Sequence, residues 1–406
     1  MKRSRFLCLV LCITALAAGI AMMPVVASAQ SKAPEKTLDI GLLLSVTGFF
    51  SSREVPDYNE TQIAADIINE KGGINVGGEK YKVRLLLEDC KSTMDGVTAA
   101  ANRLVHEKKV KFLLGPTAFF AAAASPVVDP AKVLRVLTYS VNTPGECDAT
   151  TPYAFLGANA TMANVIATAK YLKKAYPKVK KIVLVHPDDG AVPVLFPIMK
   201  GLMESNGFTV LGEMVRYPNE MQDFSPIASK INAYKDADAA VQLNGIGPHV
   251  GGIVKGLRQL GNKKPYAAAI PTSLSEVVTI AGKEAAKDVY THAISYDEPG
   301  LPPIAKEICK RTVAKYGKDY SLYLTGADAL FDLKYVIEQA KSLDPTVVKT
   351  KFESLSKIDT IFGPGVVGGE KTFGIKNHVV SHAQSIQVLK NGKVVPGGIV
   401  EVGAIP

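Results

Sequence analysis

Three sets of residues in this sequence have types and spacings that could do chemistry. Asp188-Asp189 follow a predicted strand, at the edge where a carboxylate pair could exchange protons with a substrate. Alone, such a pair reads as a polar rim of a cleft. His378 and His382 are four apart, the spacing of two metal ligands on one helix face. Val379-Val380 and the neighbouring glycine and asparagine favour strand or loop, so surface histidines are expected there. Gly245-Ile246-Gly247 lies between a predicted strand and a predicted helix, as a dinucleotide-binding turn would. Its third glycine, Gly251, comes one residue late and Pro248 intrudes, which leaves a tight turn into a helix whose free N–H groups face a cleft. No Gly-x-Ser-x-Gly elbow, Walker loop or His-Glu-x-x-His motif occurs. The chain is expected to bind rather than catalyse, with no catalytic residues, cofactor or metal.

The elements that must position these residues alternate. Leu38–Leu44 is a continuous apolar run, the pattern of a strand buried on both faces. Ile63, Ala64, Ile67 and Ile68 then recur at helical spacing, with Asn59 and Gln62 placed to cap the helix and Gly72-Gly73 to end it. Strands at Val83–Glu88, Val110–Leu114 and Val133–Thr138 continue the alternation. It restarts near residue 158, with strands at Lys181–His186, Thr209–Val215, Ala239–Leu243 and Tyr266–Ile270 separated by helices. Strands separated by helices mean parallel βαβ units. The expected fold is α/β, two doubly wound parallel-sheet lobes joined by a three-crossing hinge near Gly157-Ala158, Ser295-Tyr296 and Phe362-Gly363. Lobe I then comprises 30–157 plus 296–362, and lobe II 158–295 plus 363–406.

The N-terminus carries Lys2, Arg3 and Arg5, an apolar run from Phe6 to about Met23, and Ala27-Ser28-Ala29 before Gln30. This is the layout of a signal peptide, residues 1–29, cleaved after Ala29, and it predicts a periplasmic protein. The 406 residues exceed what one hydrophobic core usually organises, which agrees with two lobes. The net charge of +9 is interspersed with acids, as at Glu70-Lys71 and Lys306-Glu307, and forms no basic stripe. Nucleic-acid binding is therefore not expected. Cys90, Cys147 and Cys309 follow the leader. An oxidising compartment allows one bridge among them, and Cys90–Cys147 is the favoured pair because both follow predicted strands. Cys309 sits in a helical pattern as a small apolar residue.

Several blocks resemble the branched-chain amino acid binding proteins of ABC transporters. They are Ile40-Gly-Leu-Leu-Leu-Ser-Val-Thr-Gly48, Ile67-Ile-Asn-Glu-Lys-Gly-Gly-Ile74, Leu87-Glu-Asp-Cys90, Leu114-Gly-Pro-Thr117, Ser140-Val-Asn-Thr-Pro144 and Ile280-Ala-Gly282. They occur in family order over nearly the whole chain. The resemblance implies a type I periplasmic binding fold, a small-molecule solute, permease partners and a monomer. A periplasmic sensor presenting the same cleft to a membrane receptor is the alternative.

The pocket positions depart from that family. Where its members carry serines after the third strand, Phe119-Phe120 stand here, and Asn142-Thr143 keep one hydroxyl of the following loop. Arg53 replaces the aromatic residue of the first loop. No carboxylate stands near Ile270-Pro271, where the acid that meets the ammonium is expected. A buried ammonium without a partner is prohibitively unfavourable. The expected ligand is therefore an apolar or aromatic carboxylic acid without an α-amino group, with a branched-chain amino acid retained beside it. Arg53 would grip the carboxylate, and Thr117, Asn142 and Thr143 would add hydrogen bonds. Phe119, Phe120 and Ile246 would form walls, with Asp189 at the rim.

Overall fold

The computed structural model describes residues 35–139, 145–157, 161–188 and 192–405. The leader and the candidates Asn142, Thr143 and Asp189 lie outside the described residues. The chain opens with β1 (Thr37–Leu44), α1 (Ser51–Glu70), β2 (Ile74–Val76), β3 (Glu79–Asp89), α2 (Met94–Asn102), β4 (Phe112–Leu114), α3 (Ala121–Val128), β5 (Leu134–Leu137) and β6 (Ala154–Leu156). It continues with α4 (Thr161–Ala175), β7 (Lys181–Pro187), α5 (Val192–Ser205), β8 (Thr209–Val210), β9 (Val215–Tyr217), α6 (Ser225–Ala233), β10 (Ala239–Gln242), α7 (Gly247–Gln259), β11 (Tyr266–Ala268), α8 (Leu274–Ala281) and β12 (Val289–Thr291). Then come α9 (Pro303–Tyr316), α10 (Thr325–Ala340), α11 (Pro345–Glu353), β13 (Lys357–Thr360), β14 (Gly363–Gly368), α12 (Glu370–Phe373), β15 (Val379–Ser381), and the hairpin β16 (Gln384–Lys390) and β17 (Lys393–Val400).

Among the described residues the strands form two sheets. The nine-stranded sheet runs β13-β14-β15-β6-β5-β4-β1-β3-β2, and the eight-stranded sheet runs β17-β16-β12-β11-β10-β7-β8 with β9 also on β7. Their centres are parallel, for example Ile40 opposite Leu85 and Phe112, and Val241 opposite Leu184 and Ala267. Antiparallel pairs are confined to the outer strands. The expected α/β class with two parallel-dominated sheets is what the chain adopts.

The apolar run of β1 is explained by burial on both sides. Ile40, Leu42 and Leu44 join the cluster under α1 and α10, and Leu43 joins the one under α2 and α3. Helices α2 and α11 start where a side chain takes up a free N–H group: Thr93 accepts from Gly96 N at 3.0 Å, and Asp344 accepts from Thr346 N at 2.8 Å. Gly115, just after β4, has φ +85°, and a Cβ there would lie 2.4 Å from the Leu43 carbonyl oxygen. Only glycine lets the loop carrying Thr117 run this close to β1.

Four expectations are corrected. β14 and β15 pair within the nine-stranded sheet, so the last passage between sheets falls at His382-Ala383 and not at Phe362-Gly363. The Gly- and Pro-rich composition of β14, which lies next to the edge strand β13 and pairs antiparallel on both sides, hides its strand character. Cys90 and Cys147 are free and buried, in different apolar clusters, and Cys309 is free as well. All three act as small apolar side chains. His378 and His382 are buried and not on the surface. His378 Nε2 lies 3.0 Å from Glu353 Oε1, and His382 Nε2 lies 2.9 Å from Asp328 Oδ2. Helix α1 begins at Ser51, upstream of the expected caps, so Arg53 belongs to a helix.

Candidate functional site

The loop between β1 and α1 is built by its neighbours. Asp89 accepts from Val46 N at 3.1 Å and from the Thr47 hydroxyl at 2.6 Å, while Ser92 accepts from Phe50 N at 3.1 Å and donates to the Thr47 carbonyl at 2.8 Å. These bonds project Phe49 outward, 42% exposed, at the head of an aromatic group. Phe50 packs 5.8 Å from Phe119 and 5.6 Å from Phe120, and Phe49 lies 6.4 Å from Phe119. Phe120 is buried under α2 and belongs to the core, so of the two candidate wall residues only the half-exposed Phe119 faces outward.

Arg53 sits one turn into α1 and is 8% exposed. Its Nη2 donates to the Thr325 hydroxyl at 2.9 Å, and its Nη1 lies 4.0 Å from Asp57 Oδ2, beyond hydrogen-bond reach. The guanidinium carbon is 4.5 Å from the ring centre of Tyr323 and 5.8 Å from that of Tyr139, positions suited to cation–π attraction. Nη1 is buried and has no hydrogen-bond partner among the described residues. A buried charged donor left in this state is strongly unfavourable unless something arrives to accept from it.

The acids on the same helix are used elsewhere. Asp57 Oδ1 accepts from the Thr325 hydroxyl at 2.7 Å and Gly326 N at 2.6 Å. Glu60 accepts from Tyr323 N at 3.1 Å and Leu324 N at 2.6 Å. Together they cap α10, whose own preceding residue, Leu324, is left-handed and supplies no side-chain cap. Ser45 N donates to Glu54. Burial pushes the Glu54 carboxyl up to about 7. The folded state therefore holds this proton more tightly than the unfolded chain, and its contribution to stability falls as pH rises from the ordinary carboxylate range to about 7. Glu54→Gln keeps an acceptor for Ser45 and removes the titration. Urea unfolding at pH 5 and pH 8 should show the wild type losing on the order of 2–3 kcal/mol more than the variant.

A cavity of about 510 Å³ lies between Phe49 and the elements of the eight-stranded sheet, where Met221, Phe224, Ile246, His249 and Ile280 line it. Ile246, the residue preceding α7, is among the side chains that line this cavity. Behind it runs an ordered relay. The Tyr266 hydroxyl donates to Gln242 Oε1 at 2.5 Å, Gln242 Nε2 donates to the Tyr217 hydroxyl at 2.9 Å, and that hydroxyl lies 3.2 Å from His249 Nδ1. His249 Nε2 faces the Asn219 carbonyl at 3.0 Å, which assigns the proton to Nε2, and burial holds the ring down to about 4. Tyr139, at the end of β5, belongs to the same buried cluster as Val185, Tyr217 and Phe224. Arg53 therefore stacks on a residue that touches the second sheet's elements.

Of the other candidates, Thr117 is buried and its carbonyl accepts from Phe120 N at 2.9 Å. Asp188 is exposed, 3.6 Å from Arg216 Nη1, so the described half of the acidic pair is engaged at the surface. Tyr139, Tyr323 and Thr325 are not among the residues that the sequence singles out. Tyr139 adjoins the Ser140–Pro144 block, which is its local signal; Tyr323 and Thr325 are some 270 residues from Arg53 and carry none.

A family model for periplasmic binding proteins matches residues 37–393. The chain belongs to the periplasmic binding protein family. Membership implies a periplasmic location and a solute-binding role. A Leu/Ile/Val-binding protein of Rhizobium johnstonii is 27% identical over 362 residues, 88% of this chain and 93% of that protein. A leucine-binding protein of Thermotoga maritima superposes with a TM-score of 0.72 at 22% identity, over 90% of this chain and 99% of that one. A solute-binding protein of an R. palustris ABC transporter, in complex with 4-hydroxybenzoate, gives 0.70 at 20% identity over 91% and 98%. These two likenesses establish the periplasmic binding protein fold.

Proposed function

We propose that this chain is the substrate-binding component of an ABC transporter, delivered to the periplasm after cleavage at Ala29, and that it presents a captured carboxylate to permease subunits as a monomer. The two sheets would mark two lobes, with passages near residues 157–161, 292–301 and 382–383. The single observation that carries the ligand class is Arg53, buried between Tyr139 and Tyr323 with Nη1 unpaired. A carboxylate oxygen at Nη1 would supply the missing acceptor, and the apolar lining at Phe49, Phe224, Ile246 and Ile280 would take an aromatic or aliphatic body. Thr117, Phe119, Asn142, Thr143 and Asp189 remain candidates around it. A branched-chain amino acid is the second reading, favoured by the name of the R. johnstonii relative.

A thermal-shift screen of the mature protein tests this. A ligand that binds only the folded form stabilises it by about 2.7 kcal/mol at a hundredfold excess over Kd. Aromatic or aliphatic monocarboxylates are expected to raise the melting temperature. Shifts with leucine or valine and none with the simple acids would select the second reading. No shift with any carboxylate would overturn both.

A further inference from the structure

The acid missing at Ile270-Pro271 has a substitute further along the same segment. Glu276 stands in the first turn of α8, its backbone N–H capped by Ser273 Oγ at 3.2 Å. Its carboxylate is half-buried, makes no hydrogen bond or ion pair among the described residues, and is pushed above the ordinary carboxylate range by burial. It lines a cavity of about 380 Å³ with Pro56, Pro248, Ile280, Tyr320 and Ser321. Pro248 and Ile280 also line the 510 Å³ cavity, so the two spaces adjoin along the same side chains. Pro56 stands one turn after Arg53 on α1, so elements of both sheets meet here.

Tyr323 ties the acid to the arginine. One side of its ring lies under the Arg53 guanidinium, and its hydroxyl, bonded to Ser321, feels the charge of Glu276. No ion pair joins Arg53 and Glu276 among the described residues, so the two charges do not neutralise each other directly. Gly247 belongs to the same arrangement: a Cβ there would lie 2.0 Å from Glu276 Oε2, so glycine at the start of α7 leaves room for the carboxylate.

We infer that Glu276 is a specificity-determining residue of the proposed cleft, accepting a hydrogen bond from a donor group that the solute carries away from its carboxylate. The inference rests on the reading of Arg53 as the carboxylate site. The shared chemistry is a carboxylic acid with a second, hydrogen-bond-donating group, either a phenolic hydroxyl or an ammonium. A solute with only the carboxylate would leave the Glu276 anion desolvated and unpaired on closure.

The test is calorimetric titration of the mature protein with two matched pairs: 4-hydroxybenzoate against benzoate, and leucine against 4-methylpentanoate. In at least one pair the donor-bearing member is expected to bind roughly tenfold or more tightly. In Glu276→Met, which keeps the length of the side chain but not the acceptor, the preference should fall to less than about threefold, with the donor-free acid binding at least as tightly as in the wild type because no anion is left desolvated. Glu276→Gln separates the sources: an amide oxygen still accepts from a hydroxyl but cannot neutralise an ammonium. If neither pair discriminates, or the preference survives in Glu276→Met, the role of Glu276 is overturned while the carboxylate reading stands. If no acid binds at all, the carboxylate reading fails and the inference fails with it.

Discussion

Arg53→Met should abolish the melting-temperature shift produced by a bound carboxylate while leaving the unliganded protein folded. Methionine keeps the apolar stem between Tyr139 and Tyr323 and deletes the head group. In the unliganded protein that head makes one bond, to Thr325, and leaves Nη1 without a partner, so little native bonding is lost. In the complex it would make the charge-assisted bond that holds the ligand. Removing one member of such a buried pair costs about 2–5 kcal/mol, a loss of affinity of roughly thirtyfold or more. Arg53→Lys should fail almost as badly, because one ammonium cannot reach Thr325 and a ligand together as a planar fork does. Isothermal titration of both variants decides it. Wild-type affinity in Arg53→Met would make the guanidinium a structural companion of Asp57 and move the ligand elsewhere.

The second large effect is expected on stability. Asp57→Ala removes the acceptor of Thr325 Oγ1 and Gly326 N and strips Arg53 of its nearest anion. The Gly326 N–H in the first turn of α10 then lacks its acceptor and the buried guanidinium has lost its nearest anion, for which about 3–5 kcal/mol is the expected loss. Asp57→Asn, which preserves one acceptor oxygen, should lose less. Urea unfolding monitored by far-UV circular dichroism gives both values. A loss below about 1 kcal/mol in the alanine variant would mean that α10 finds its caps elsewhere.

These two residues also show why the sequence was legible in some places and not in others. β1 could be read because a strand covered on both faces must be apolar throughout. The first half of α1 could not, because its inward face carries Arg53, Glu54, Asp57 and Glu60 and meets the open N-terminus of another helix, not a greasy sheet. Apolar periodicity is silent where the packed partner is a row of N–H groups. The strands β13, β14 and β15 are short and antiparallel at one side of the sheet, and Gly363, Pro364 and Gly365 mask one of them. Within the site, Arg53, Phe119 and Ile246 stood out as departures from a familiar pattern. Tyr323, Thr325 and Glu276 did not, because each acts through a fold that brings distant segments together. The expected Cys90–Cys147 bridge failed for a related reason: spacing along the chain says nothing about which side of a sheet a thiol enters.

The passage at His382-Ala383 bears on how this molecule comes into being. Strand β6 is completed on one flank only by β15, so a chain made from its N-terminus carries that flank bare from Leu156 until Val379 has been synthesised. Strands β7 to β12 of the eight-stranded sheet are made inside that interval, and the sheet is finished only after it, by β16 and β17. Neither sheet can be closed by an N-terminal fragment, and their long-range pairings slow spontaneous closure. Completion of both sheets therefore waits for β15, β16 and β17, the last strands to be laid down.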